Sequence, residues 1–339
     1  MHFLNGIDAN YVPIMMDLSL SWKTEQGNPI EDLYRYLAEK RVNCARVRLW
    51  VGDKIPSGFR YAVSVMRMAR EANMGIYLVF FLSEGWADLY KQPAPSAWEA
   101  ISVEEKSRVV KTYITDIVKR IIHMGFKPEL YQVGNEIDYG ICGIFASNKK
   151  RRKNLNWLRR RIWRYEAEIL KSAFNGIRDV DPDASIAIHL GKSWDYHLLT
   201  SFLSAMEDFN VDFDVLCLSF YPSSHGVGFD ALDRLKEIAE YAYPSGLIRG
   251  QFWFMNKQVP GYPMTLEGQA MWIKDFISYC RRLDIQGTFY WSPEMYLPVE
   301  LAKKLQAPPE MPLSFGWDPM ALFDKSGRAK PSINSLKAH

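Results

Sequence analysis

The stretch 131-YQVGNEIDYG-140 carries an apolar run straight into a glutamate, Glu136. A carboxyl group at the end of an apolar strand is costly in a core and tolerable at the mouth of a fold. Partial burial there raises its pKa, so that it can hold a proton near neutrality and deliver it to a leaving oxygen. Asn135 beside it is suited to bonding a hydroxyl. Read purely as architecture, Glu136 would instead pair with Arg46 or Arg48. Those arginines alternate with Trp50 in RVRLW, which puts all three on one face of an extended strand. Comparable polar clusters end other apolar runs: SEGWAD with Glu84 and Trp86, HLGKSWD with His189, SFYPSSHG with Tyr221 and His225, and YWSPEMY with Trp291 and Glu294. Carboxylates, aromatic rings and hydrogen-bonding groups together suit a sugar, because a pyranose offers apolar ring faces for stacking and a belt of hydroxyls for bonding.

Positioning such groups calls for a regular scaffold, and the chain supplies one. Short β-branched or aromatic runs at 3–12, 44–51, 75–83, 130–137, 185–190, 214–222, 250–256 and 287–293 are separated by segments with helical spacing, such as EDLYRYLAEKR, EEKSRVVKTYITDIVKRIIHMG and the stretch 154–180. Strand and helix in repeated alternation imply parallel pairing with right-handed crossovers. Eight such units close most naturally into a (β/α)8 TIM barrel, an α/β fold whose working groups sit at the C-terminal ends of the strands. No Pro/Ser/Gly-rich linker interrupts the series, so residues 1–339 read as one barrel domain.

Bulk properties narrow the function classes. The 339 residues are 48% hydrophobic and 24% charged, and the net charge of +3 argues for neither a nucleic-acid partner nor an anionic membrane surface. A neutral oligo- or polysaccharide fits that balance. The run KKRRKNLNWLRRRIWR at 149–164 is the local extreme of charge. It reads as a solvated loop and outer helix face, with binding of an anionic polymer as the alternative. Cys44, Cys142, Cys217 and Cys280 have no paired spacing, and Cys44 and Cys217 lie in strand-like runs as small apolar fillers. The six histidines are scattered, which gives no metal site, and no glycine-rich phosphate loop appears. No cofactor is implied. The N-terminus, MHFLNGIDANYVP, lacks the pattern of a secretory signal, which gives an expectation of a cytoplasmic protein, or of a secreted one if a signal has been removed.

Taken in order, NGIDANY, RVRLW, the SEGWAD-LYKQ element, PELYQVGNEI, LSFYPSSHG, EGQAMWIKDFI, GTFYWSP and the closing GWDPMALFDKSGRAKPSINSL resemble the clan A glycoside hydrolases, and most closely family 53, the endo-β-1,4-galactanases. The resemblance runs nearly end to end. It implies a retaining mechanism with glutamates at the ends of strands 4 and 7, their carboxyls roughly 5 Å apart. Glu136 matches the acid/base. Arg46 or Arg48, Asn135 and Tyr221 match groups around the nucleophile and its sugar, and Trp86, Trp291 and His225 resemble subsite residues.

Aligned on its apolar run, QFWFMNKQ puts Asn256 where the nucleophile should stand. An amide oxygen carries no full charge and the side chain is a methylene shorter than glutamate, so double displacement should be crippled in this chain. The competing explanations are a replaced glutamate, a lineage that has lost catalysis or relocated the carboxylate to Glu294 or Glu84, and a shifted alignment. Glu294 lies two residues past Ser292, where the family shows a glutamate; it reads either as that carboxylate displaced along the loop or as a loop acid pairing a base. Val79 and Phe81 replace the family's Asp and His on strand 3. That favours β-linked galactosides in general over the polymer. The alternatives are a carbohydrate-binding barrel without hydrolysis and a clan A glycosidase of another β-specificity.

Overall fold

The computed structural model describes residues 2–54, 56–221, 228–242, 247–252, 259–296 and 320–338, with 240–242 and 247–252 described by backbone alone. Eight strands close into a barrel: β1 (Leu4–Asp8), β2 (Cys44–Leu49), β3 (Gly75–Phe80), β4 (Leu130–Val133), β5 (Ile186–Leu190), β6 (Val215–Phe220), β7 (Leu247–Phe252) and β8 (Gly287–Trp291). Every neighbouring pair in the barrel is parallel, and Leu4 opposite Gly287 with Gly6 opposite Cys44 seals the ring between β8 and β2. The helices that follow the first seven strands are α1 (Leu33–Glu39), α2 (Phe59–Glu71), α3 (Val103–His123), α4 (Arg164–Arg178), α5 (Tyr196–Asp208), α6 (Asp230–Ala242) and α7 (Leu266–Arg282). A 3-10 segment, Pro331–Lys337, follows β8 and packs on α7.

Local chemistry sets these boundaries. Ser102 and Glu105 form a reciprocal capping box that starts α3, while Asp195 and Thr265 cap α5 and α7 by accepting from the third residue on. The amphipathic stretch 154–180 splits into a short helix, a π-helical turn at Arg159–Trp163 and then α4. Two apolar bodies result. The larger lies between strands and helices. The smaller gathers Leu4, Cys44, Tyr77, Leu130, Ala187, Val215 and Phe289 from seven strands inside the barrel. Cys44 and Cys217 belong to this inner packing, and all four cysteines are buried.

The expected strands are present but shorter at their polar ends. Residues 81–83 and 134–137, read as strand, are loop, because the groups they carry face the mouth and find partners outside the ladder. Strand β7 starts at Leu247, three residues before the expected run, since Arg249 and Gly250 hide its first half from an apolar pattern while Leu247 to Phe252 pair residue for residue with Val215 to Phe220.

Candidate active site at the barrel mouth

Asp8 ends β1 without exposure to solvent and binds two arginines from β2: Arg46 Nη1 at 2.6 Å from Oδ2 and Arg48 Nε at 3.0 Å from Oδ1. Asn10 donates to Asp8 Oδ1 at 2.7 Å, and its own oxygen accepts the amide of Arg48 at 3.0 Å. Arg48 Nη1 donates to the Tyr11 hydroxyl at 3.0 Å. Two cations on one carboxylate leave net positive charge beneath the mouth. Arg46 sends that charge onward, donating Nη2 to Asn135 Oδ1 at 2.9 Å and to Gln132 Oε1 at 3.3 Å. The arginines thus pair with Asp8, and the architectural reading that would pair them with Glu136 is not what these bonds show.

Glu136 is held by its backbone as much as by its side chain. Gly134 takes φ +77° and Glu136 itself φ +53°, so the chain after β4 turns through the left-handed region at a residue with a side chain, a strain found where position matters. Gln92 clamps the turn by donating to the carbonyls of Asn135 at 2.8 Å and Glu136 at 3.2 Å. Gly191 completes the fit, because a Cβ there would stand 2.9 Å from Glu136 Cδ. The carboxyl accepts from the Ser219 hydroxyl at 2.6 Å on Oε1 and from the Leu89 amide at 3.2 Å on Oε2. Burial pushes Glu136 up to about 7. Asp138 and Asp88 add to the rise, and the Ser219 and Leu89 bonds oppose it.

A chain of polar groups runs behind this carboxyl. Asn135 Nδ2 donates to the Ala87 carbonyl at 3.0 Å and Oδ1 receives Arg46, which leaves Oδ1 as the acceptor facing His189 Nδ1 at 2.9 Å. Nδ1 therefore carries the hydrogen. His189 Nε2 lies 3.1 Å from Ser219 Oγ, which in turn meets Glu136. Burial, reinforced by Arg46, holds the His189 pKa well below its ordinary value, so the ring is neutral and Nε2 is an acceptor. Tyr221 also bonds Ser219, and burial beside Glu136 keeps its hydroxyl protonated.

Trp86 and Trp291 meet over the mouth with centroids 6.0 Å apart and planes 36° from parallel, and the Trp86 indole donates to Asp88 at 2.9 Å. Val79 and Phe81 lie in the inner apolar cluster against Trp86. Glu84 sits elsewhere: Lys54 at 3.2 Å and the Ser96 amide and hydroxyl occupy its two oxygens at the edge of the loop, and these bonds lower its pKa. Glu294 is fully buried. Its Oε1 accepts the Tyr11 amide at 2.9 Å and burial drives it up to about 8, so it anchors the loop after β8 to the start of the chain. Asn256 and His225 lie outside the described residues.

Sequence reasoning passed over Asp8, Gln92 and Ser219. Counting by twos from the inward-facing Cys217 would have found Ser219, and a carboxylate ending β1 opposite two arginines would have flagged Asp8. Gln92 arrives by loop packing and has no periodic signal. Among the described residues no group of three or more His, Cys, Asp or Glu side chains is placed to hold a metal ion, and no helix is long and apolar enough to cross a membrane.

The arrangement is a partly exposed, proton-holding carboxyl bonded by a backbone amide and a serine hydroxyl at the C-terminal end of a parallel barrel, and relatives of the chain share that scaffold. A protein of Niallia circulans, known as an uncharacterized protein in the bgaB 5' region, is 29% identical over 358 residues, covering 99% of this chain and 94% of its own. An arabinogalactan endo-β-1,4-galactanase of Thermothelomyces thermophilus is 28% identical over 310 residues, 85% of this chain and 88% of that protein. The GH53 catalytic domain of Ignisphaera aggregans superposes with a TM-score of 0.81 at 25% identity, covering 98% of this chain and 95% of that domain. The model of glycosyl hydrolase family 53 matches residues 4–336, from the first residue of β1 into the closing 3-10 segment, and the protein belongs to that family.

Proposed function

We propose that the chain is built as a retaining hydrolase of β-linked galactosides, with Glu136 as the acid/base and Asn256 in the nucleophile's place. The observation that carries this reading is Glu136 itself. Its carboxyl lies at the end of β4, keeps its proton to about pH 7 and is fixed by Ser219 and the Leu89 amide. A group protonated at the working pH, yet able to ionise once the proton has moved, is what protonation of a departing glycosidic oxygen requires. The galactanase names of the family relatives give the substrate class, and the Trp86–Trp291 pair supplies the stacking surface a pyranose needs.

With an amide at 256 the covalent glycosyl intermediate cannot form at a useful rate, so the protein as it stands binds sugar and turns over little. The test is a kinetic comparison of this chain with Asn256→Glu on a panel of aryl β-glycosides. Gain of aryl β-galactoside hydrolysis in Asn256→Glu, abolished again by Glu136→Gln, supports the assignment. No gain in Asn256→Glu, with galactosides still bound, supports a carbohydrate-binding barrel instead.

A further inference from the structure

A cavity of about 980 Å³ reaches toward Glu136 through Leu89, a lining residue whose amide binds the Glu136 carboxyl. Four cations line it, Lys149, Arg152, Lys153 and Lys192, against a single carboxylate, Asp195. That carboxylate is already taken, since Lys192 Nζ sits 2.8 Å from it. Lys149 and Lys153 are exposed and, among the described residues, neither lies within ion-pair distance of an acid. Arg152 is held inward. Its guanidinium stands over the rings of Tyr139 and Phe145, donates Nε to the Ala146 carbonyl at 2.7 Å and reaches the Leu89 carbonyl with Nη1 at 3.2 Å. Tyr90, Tyr139 and Trp194 provide the aromatic part of the lining.

We propose that this cavity is a subsite for a sugar bearing a carboxylate, joined to the galactosyl chain on the side that departs from Glu136. The inference rests on Glu136 being the acid, because a general acid faces the leaving group and the wall next to it receives that group. Aromatic faces accept the ring, and the exposed Lys149 and Lys153 accept the charge. A neutral sugar would leave those cations facing nothing but water. A second basic cavity, lined by Arg159, Arg160, Arg161 and Arg164, has no residue in common with the Glu136 surroundings and carries no part of this inference. The net charge of +3 is too small to make the whole protein a polyanion binder, which favours one local anionic residue.

The test is calorimetry on the Glu136→Gln protein, which stops turnover. One ligand is a β-galactosyl oligosaccharide with galacturonate at its reducing end, and the other is the same molecule with that carboxyl reduced to the alcohol. The acidic ligand is expected to bind about tenfold tighter at low salt, the size of two exposed ion pairs of ordinary surface strength. The preference should shrink at high salt and disappear in Lys149→Gln/Lys153→Gln, whose surface positions leave folding intact. Equal affinity for the two ligands overturns the subsite and leaves the galactoside reading standing, as does a preference that survives the double substitution. Equal competition by duplex DNA overturns it in favour of a general polyanion face. Failure of both ligands to bind removes the galactoside reading, and this inference with it.

Discussion

Replacing His189 with phenylalanine should lower the pKa of Glu136, although nothing charged is removed. The orientation of Asn135 makes His189 Nδ1 a donor and Nε2 an acceptor. When Glu136 carries its proton on Oε1, the Ser219 contact reverses and every group in the row is served: the carboxyl donates to Ser219 Oγ across the same 2.6 Å, and the Ser219 hydroxyl donates to His189 Nε2. When Glu136 ionises, Ser219 must turn its only hydrogen to the carboxylate, and Oγ and Nε2 then face each other at 3.1 Å with lone pairs alone. A buried hydrogen bond left unmade costs about 1–3 kcal/mol, and a pKa unit is about 1.4 kcal/mol. The imidazole therefore supports the acid form by about one unit. Phenylalanine preserves the burial that dominates the rise to about 7 but frees Ser219 to serve the carboxylate without loss. Asp88, Asp138, Tyr221 and Arg46, the other charged or titratable groups facing this cluster, are unaltered. The assay is a carbon-13 titration of glutamate carboxyls, with Glu136 assigned by its disappearance in Glu136→Gln. The reasoning predicts a fall of about one unit in His189→Phe and no further effect of that change in a Ser219→Ala background. An unchanged or higher pKa in His189→Phe would refute it, because a simple spacer role leaves only burial, which acts upward.

Three further outcomes follow from the same geometry. Asn256→Glu should raise the Glu136 pKa through like-charge repulsion, read by the same titration; identical values would show that the two side chains do not share a site. Glu294 should weaken the fold as pH rises: the folded carboxyl keeps its proton to about pH 8 and the unfolded one loses it near 4.5, so the folded state binds the extra proton across that window. Stability of the native chain relative to Glu294→Gln should thus fall by roughly 3–5 kcal/mol between pH 4.5 and 8 in urea titrations, and parallel curves would contradict the buried, proton-bearing assignment. Asp8→Asn should destabilise by about 3–5 kcal/mol at neutral pH, since it leaves two buried guanidinium groups without their carboxylate; a loss under about 1 kcal/mol in chemical denaturation would mean that the arginines find other partners.

The barrel was legible because period and length both pointed the same way. Each inner strand alternates cleanly, as Cys44, Arg46 and Arg48 do, and each helix shows an apolar face long enough to count. The ends were less legible. The 134-GNEI-137 segment continues the apolar rhythm of β4 and reads as strand, yet Gly134 and Glu136 adopt left-handed backbone there, a conformation that periodicity cannot register. Among the candidate site residues, those on strands or just past their ends were readable in place: Arg46 and Trp291 lie on strands, and Asn135, Glu136 and Trp86 follow strand ends on the same side of the barrel. Glu84 shows the limit. Its neighbours in sequence point toward a substrate, while Lys54 and Ser96, brought in by tertiary packing, occupy its oxygens.

The way Glu136 is tuned also bears on what the asparagine at 256 means under the proposed mechanism. In a pair of catalytic carboxylates each lifts the pKa of the other, and an acid that depended on that lift would lose its proton once the partner became an amide. Here the rise to about 7 arises from burial first, with Asp138 and Asp88 adding to it. The clamp from Gln92, the fit against Gly191 and the row through Ser219, His189 and Asn135 all bear on Glu136. Under the proposed mechanism the acid therefore owes its proton chiefly to burial. A single Asn256→Glu change has only to supply a charge, with no repair of the proton donor, and that is the physical reason to expect hydrolysis to return in one step.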